Sequence, residues 1–226
     1  MRVKSNFGKK GEGRMKRGFF WLVLVVLGFS VSVFAGEVKE ISLPARPTRV
    51  NVDIVNALEQ RRTTRDYATT KLSLEDLSAV LWAANGVNRP DGKRTAPSAY
   101  GKQYIDIHVV TDTGAYLYDA PNQKLVLVTS LNVKDSLAGQ GHVAKASHIL
   151  VLAADMSKVP GSLTETKLNW AHSTAGTIAE NVHLMCAARA IGTGIVAGIK
   201  TEEIRQALNL AKDSVPLYVM PLGYQK

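Results

Sequence analysis

"LEQRRTTRDYATTKLSLEDLSAVLWAANGVNR", residues 58–89, holds two signals that decide how the rest of the chain is read. Its second half is helical. Ser73 is placed as an N-cap, and Glu75 and Asp76 in the first turn suit the positive end of the helix dipole. Leu74, Leu77, Val80, Leu81 and Ala84 recur at spacings of three and four, which makes one apolar stripe, and Asn85-Gly86 ends it. The first half differs. Arg61, Arg62 and Arg65 fall within five residues, interleaved with Thr63 and Thr64. Like charges this close repel unless water solvates them or an anion binds among them. Guanidinium forks match phosphate geometry and threonine hydroxyls add donors. On spacing alone a solvated turn is the commoner outcome, so both readings stay open.

Working outward, Asn51 or Asp53 caps a helix running to about Arg61, with Val55 and Leu58 expected inward. Residues 36–50, "GEVKEISLPARPTRV", read as an extended linker with Pro44 and Pro47. Downstream, the polar loop "NRPDGKRTAPSAYGKQ" (88–103) precedes strand-like runs at 104–110, 115–119, 123–129 and 148–155. The last of these, "HILVLAAD", is apolar throughout, as a buried strand would be. From about Lys167 to Ala190 the pattern is one long helix, with Ala171, Ala175, Ile178, Ala179, Val182, Met185, Cys186 and Ala190 making it apolar over much of its circumference. Such a helix lies in a core or an interface between subunits. "GIVAGI" (194–199), a helix from Thr201 to about Leu210, and "VPLYVMPLGY" (215–224) follow. Strands and helices mix without a repeating βαβ unit, which favours an α+β fold.

The chain has 226 residues, 46% hydrophobic, enough for one domain with a core, and a formal charge of +9. Of its 28 basic and 19 acidic residues, seven and one fall in 1–36, which leaves a net of only +3 beyond. No nucleic-acid motif is present, and a nucleic-acid partner is not expected. The N-terminus explains the imbalance. Lys16 and Arg17 precede a 16-residue apolar run, Phe19–Phe34, and Val33-Phe34-Ala35 offers small residues at the cleavage positions. Residues 1–35 therefore read as a signal peptide, with Met15 a second candidate start, and the protein as periplasmic or extracellular. The run is shorter than the roughly 20 residues of a membrane span. The single cysteine, Cys186, permits no intrachain disulfide and reads as a small buried hydrophobe. His172 and His183 share a helix face but lie about 16 Å apart, too far for one metal, and no HExxH or CxxC stands in the chain. Tyr100, Tyr104, Tyr116, Tyr118 and Trp82 could stack on a cofactor ring, although core packing more often explains such residues. Bottom-up, the reading stops at an exported α+β domain with a candidate anion site.

Taken in order, six segments resemble the FMN-dependent nitroreductase-like family, and within it the short branch related to thiazole/oxazole-forming dehydrogenases. "RRTTRDY" is similar to the family's R-R-S-x-R-x-[FY]. "LSLEDLSAVLWAANGVNR" follows, then "RTAPSAYGKQYIDIHVV", similar to R-x-x-P-S-A-x-N-x-Q, then "GAYLYDAPNQKLVLV", "AGTIAENVHLMCAARAIGTG" and "PLGYQK". The match runs from about Ile41 to Lys226.

The resemblance implies an antiparallel-dominated mixed sheet flanked by helices with a long central helix, in an intertwined homodimer with FMN at the interface. By position, Arg61, Thr63 and Arg65, with Arg62 beside them, would grip the FMN phosphate and ring system. Pro97, Ser98, Ala99 and Gln103 would line the flavin. Ala197 and Gly198 would present backbone to its reactive edge, and Lys226 would be a further phosphate partner. The redox chemistry belongs to the cofactor, so no catalytic side chain is assigned. Two positions depart from the family pattern. Gly101 stands where Asn is common, which removes one flavin contact, and Tyr100 is bulkier than the usual residue over the ring. Outside the cytoplasm there is no NAD(P)H pool, so a different electron donor or an oxidative reaction is expected. The readings are an exported FMN oxidoreductase acting on a small molecule, or an exported binding protein that keeps the fold without turnover.

Overall fold

The computed structural model describes residues 40–47, 49–137 and 139–226. The segment read as a signal peptide lies outside them, as do the first four residues of the linker. Among the described residues no helix is long and apolar enough to cross a membrane.

Seven strands form one sheet: β1 (Glu40–Ser42), β2 (Ile105–Thr111), β3 (Gly114–Asp119), β4 (Lys124–Thr129), β5 (His148–Asp155), β6 (Ile191–Thr193) and β7 (Ser214–Tyr224), in the order β1-β4-β3-β2-β5-β7-β6. Every strand pair is antiparallel. A parallel bridge joins Thr63 to Thr193. The linker expectation is corrected in part: residues 40–42 are extended, and they pair with β4 as an edge strand. Pro216 falls where the β5–β7 register shifts, a place where a missing N–H costs no ladder bond.

Among the described residues there are five α-helices: α1 (Ile54–Gln60), α2 (Leu74–Asn85), α3 (Gly141–Lys145), α4 (Thr164–Ala188) and α5 (Thr201–Ala207). Alternation along the strands sends Ile105, Ile107, Val109, Leu150 and Leu152 to the face covered by α2 and α4. Val110, Ile149, Val151 and Val219 go to the face covered by α3 and α5. Each fully buried Leu or Ile contributes about 1.5–3 kcal/mol. Helix α4, about 37 Å long, buries Ala171, Ala175, Ile178, Val182 and Cys186 down one side. Burial also pushes the Cys186 thiol pKa up, as expected of a packing residue rather than a nucleophile.

The caps read from sequence hold: the side chains of Asp53 and Ser73 accept from Asn56 N and Asp76 N. The inward placement of Val55 and Leu58 does not. Both are more than half exposed, as is Ile54, and α1 buries only Ala57. A two-turn helix lying on α4 needs only one small residue at the contact, so its remaining apolar face is left outside. The run "GIVAGI" follows β6 as a loop. Its neighbour 191–193 pairs with β7, and within the run Val196 bridges to Val219.

Candidate functional site

The arginine segment begins where α1 ends, with Arg61 as C-cap. It is then laid across the β6–β7 edge. Thr64 N donates to the Thr193 carbonyl oxygen at 2.8 Å and Ala68 N to that of Tyr224 at 2.9 Å, while Tyr67 bridges Gln225. The approach is close enough to require glycine beneath it. A Cβ on Gly192 would stand 2.7 Å from Thr64 Cγ2, and one on Gly223 2.9 Å from Tyr67 Cβ. Buried Tyr67 pins the loop from below by donating to the Thr64 carbonyl oxygen at 2.7 Å. Its own pKa is pushed up to about 12 by burial, with Arg65 opposing, so it stays a neutral donor.

A loop held this firmly fixes its side chains on the outer surface. Arg62, Thr63 and Arg65 are exposed and Arg61 is half-buried. Among the described residues none of the three arginines forms an ion pair. The loop's own acid, Asp66, is taken by Lys226 at 2.9 Å, an exposed pair that brings the last residue onto the same loop. Beneath, the Thr193 hydroxyl is buried without a hydrogen-bond partner. Ala197 and Gly198 are exposed on the loop after β6, next to Val196 where it bridges β7. The sheet edge thus collects three unpaired cations, a threonine hydroxyl and exposed backbone. That donor set fits a phosphate and the polar edge of a flavin.

Pro97, Ser98, Ala99 and Gln103 lie elsewhere. Ala99–Gly101 form a 3₁₀ turn in which Tyr100 adopts φ 54° and points an 83% exposed ring outward. The turn is clamped to α4 by Tyr104, which accepts from Ala99 N at 3.2 Å and bonds Thr174 Oγ1 at 2.6 Å. Tyr104 is therefore a structural clamp, and Tyr116 and Tyr118 are buried too; of the four tyrosines considered for stacking, only Tyr100 is presented to a ligand. The turn leads into β2, whose first residue pairs with Ala154, and Ala154 pairs in turn with Val215 at the start of β7. The arginine loop sits at the end of β7, at Tyr224. Nine residues of strand separate the two, about 30 Å, farther than one mononucleotide reaches.

Sequence reasoning missed the glycine cradle, and although Tyr67 closes the quoted "RRTTRDY" it gave that residue no role. It also passed over Arg94, although "RTAPSA" begins with it. Arg94 is half-buried and donates from one arm to the Asn85 carbonyl oxygen at 2.8 Å.

The model of the Nitroreductase family matches residues 58–224. A protein of Methanocaldococcus jannaschii assigned as a nitroreductase is 30% identical over 198 residues, which span 83% of this chain and 98% of that one. Among solved structures, a nitroreductase-assigned protein of Ralstonia eutropha superposes with a TM-score of 0.78 at 30% identity, over 83% of this chain and 90% of that one. A chain of the Escherichia coli microcin synthetase complex gives 0.64 at 18% identity, over 93% and 85%, a likeness of fold alone.

Proposed function

Because this chain belongs to the nitroreductase family and is an oxidoreductase of that family, we propose that it uses FMN bound between two copies of itself. The observation that carries the reading is the set of unpaired arginines on a loop immobilised over Gly192 and Gly223. Unpaired cations held in place are costly to keep together, and a dianionic phosphate removes that cost. In this reading Arg61, Arg62, Arg65, Thr63 and Lys226 hold the phosphate and the polar edge of the ring. Ala197 and Gly198 supply backbone contacts. Pro97, Ser98, Ala99 and Gln103 come from the second copy, because about 30 Å of sheet separates them from the arginines of their own chain. The exposed apolar face of α1 at Ile54, Val55 and Leu58 is surface that such a dimer would cover.

Bound FMN supplies hydride exchange at its N5 and requires no protein acid or base. The chain's residues bind and orient the cofactor, and cations beside the ring favour its reduced, anionic form. The protein acts outside the cytoplasm after loss of residues 1–35, with an electron donor other than NAD(P)H.

Absorbance after reconstitution with FMN tests the reading: bands at about 370 and 450 nm, as for an oxidised flavin, should co-elute with protein at dimer size. A colourless monomer would overturn it. Mass spectrometry of protein recovered from outside the cytoplasm should find Gly36 as first residue, and an intact apolar run there would refute the processing step.

A further inference from the structure

A second cavity, of about 280 Å³, opens between the 85–103 segment and the β3–β4 turn. Its lining carries charges of both signs, Arg94 together with Asp106 and Asp119, and the polar side chains of Asn85 and Gln103. All three charged residues are half-buried. Among the described residues none forms an ion pair, so every cation–carboxylate gap exceeds 4.0 Å. Arg94 is kept from closing that gap because one arm is anchored on the Asn85 carbonyl oxygen. Among the described residues Asp119 accepts only from Asn122, its neighbour in the turn. Lys158, the other cation near Asp106, is bound to Asp155 at 2.8 Å.

We propose that this cavity binds a small zwitterion of the α-amino-acid class, its carboxylate on Arg94 and its ammonium on Asp106 and Asp119. A simple anion would meet two carboxylates, and a simple cation would meet the guanidinium. A ligand carrying both charges a few bonds apart satisfies each wall. The volume falls at the small end for ligand pockets, which suits an amino acid and excludes a nucleotide. The charged states of Arg94 and Asp106 are already disfavoured by their surroundings. Burial lowers the pKa of Arg94 and raises that of Asp106, so a ligand that pairs with both restores what burial removes. Gln103 lines the same cavity while its amide reaches back to Ser98 Oγ and the Gly101 carbonyl oxygen, both at 3.5 Å. Occupancy is thereby connected to the segment assigned to the flavin, yet the proposal does not rest on that assignment.

The test uses purified protein without added flavin. Glycine and L-alanine, titrated to roughly a hundred times their dissociation constant, should raise Tm by about 5–11 °C, the shift growing with the logarithm of concentration. Acetate and methylammonium at equal concentration should leave Tm unchanged. Asp106→Asn should abolish the shift with the circular dichroism spectrum retained, and Arg94→Gln should do the same. Arg94→Gln also breaks the bond to Asn85, so Asp106→Asn, which breaks no hydrogen bond, is the deciding variant. No shift with either amino acid, an equal shift with acetate or methylammonium alone, or a shift that survives Asp106→Asn would each overturn the proposal.

Discussion

Arg189 and Arg65 stand on segments that meet the same end of the sheet, yet they are spent differently. Arg189 caps α4 and gives its Nε to Asp76 Oδ1 at 2.6 Å, with side chains only 21% and 15% exposed. The other oxygen of Asp76 accepts from the Tyr224 hydroxyl and from Ser73 Oγ. One carboxylate thus joins the start of α2, the end of α4 and the end of β7. Arg65, with Arg61 and Arg62, has no carboxylate at all among the described residues, although its loop is held as tightly. A cation whose carboxylate partner is itself held on three sides belongs to the fold. An exposed cation with no carboxylate partner among the described residues makes no such tie.

The sharpest way to break that comparison is Asp76→Ala, which leaves Arg189 largely buried and uncompensated. Loss of about 3 kcal/mol in a denaturant titration is expected; a loss within 0.5 kcal/mol, on the order of a surface change, would put Arg189 in the same class as the loop arginines. Next is Gly223→Ala. Its Cβ would sit 2.9–3.0 Å from the Tyr67 ring and Cβ, so overpacking of about 1–3 kcal/mol is expected, together with weaker FMN retention as the loop lifts. Unchanged retention would show that the cradle does not set the arginines.

Acid sharpens the contrast. Burial pushes the Asp76 carboxyl up, but hydrogen bonds from Tyr224, Arg189 and Ser73 outweigh it and hold its pKa below 3.8. Its contribution is therefore complete above that value and is lost as pH falls through the lower folded-state pKa. The stability gap between wild type and Asp76→Asn should be constant near neutrality and shrink below about pH 4. His108 and His148, both held down to about 4 by burial, stay neutral in the fold while the unfolded chain protonates below 6.5. Both proteins should accordingly lose up to about 1.4 kcal/mol per pH unit for each histidine between 6.5 and 4, a background that cancels in the difference. A gap that widened in acid would contradict the pairing. The smallest stability effect belongs to Arg61→Ala with Arg65→Ala. Stability should move by no more than about 0.5 kcal/mol while FMN retention falls at least tenfold, about 1.4 kcal/mol, read by fluorescence titration. Retained flavin would return the cluster to a solvated turn.

The local signals were legible because they are written in neighbouring residues. Ser73 and Asp53 cap where their side chains reach the next turn, the stripe from Leu77 to Ala84 is buried, and "HILVLAAD" is β5 to the residue. Leu74 breaks the pattern, 41% exposed at the first turn where the helix overhangs the core. Val55 and Leu58 were misplaced because periodicity gives a face but not what lies against it. Tyr104 and Tyr100 look alike in sequence, and only packing against Thr174 makes one a clamp and leaves the other outside.

The sequence by itself determined the α+β class, the extent of most elements and the arginine cluster, since caps, periodicity and charge spacing act over a few residues. The tertiary structure alone decided that Gly192 and Gly223 make room for the arginine loop, that Asp76 meets Arg189 across 113 positions, and that Arg94 faces Asp106 over a cavity. It also decided that the arginine loop and Gln103 fall toward opposite ends of β7. Each of these is a meeting between residues far apart in the chain, fixed by strand order and register, and no short window of sequence carries that information.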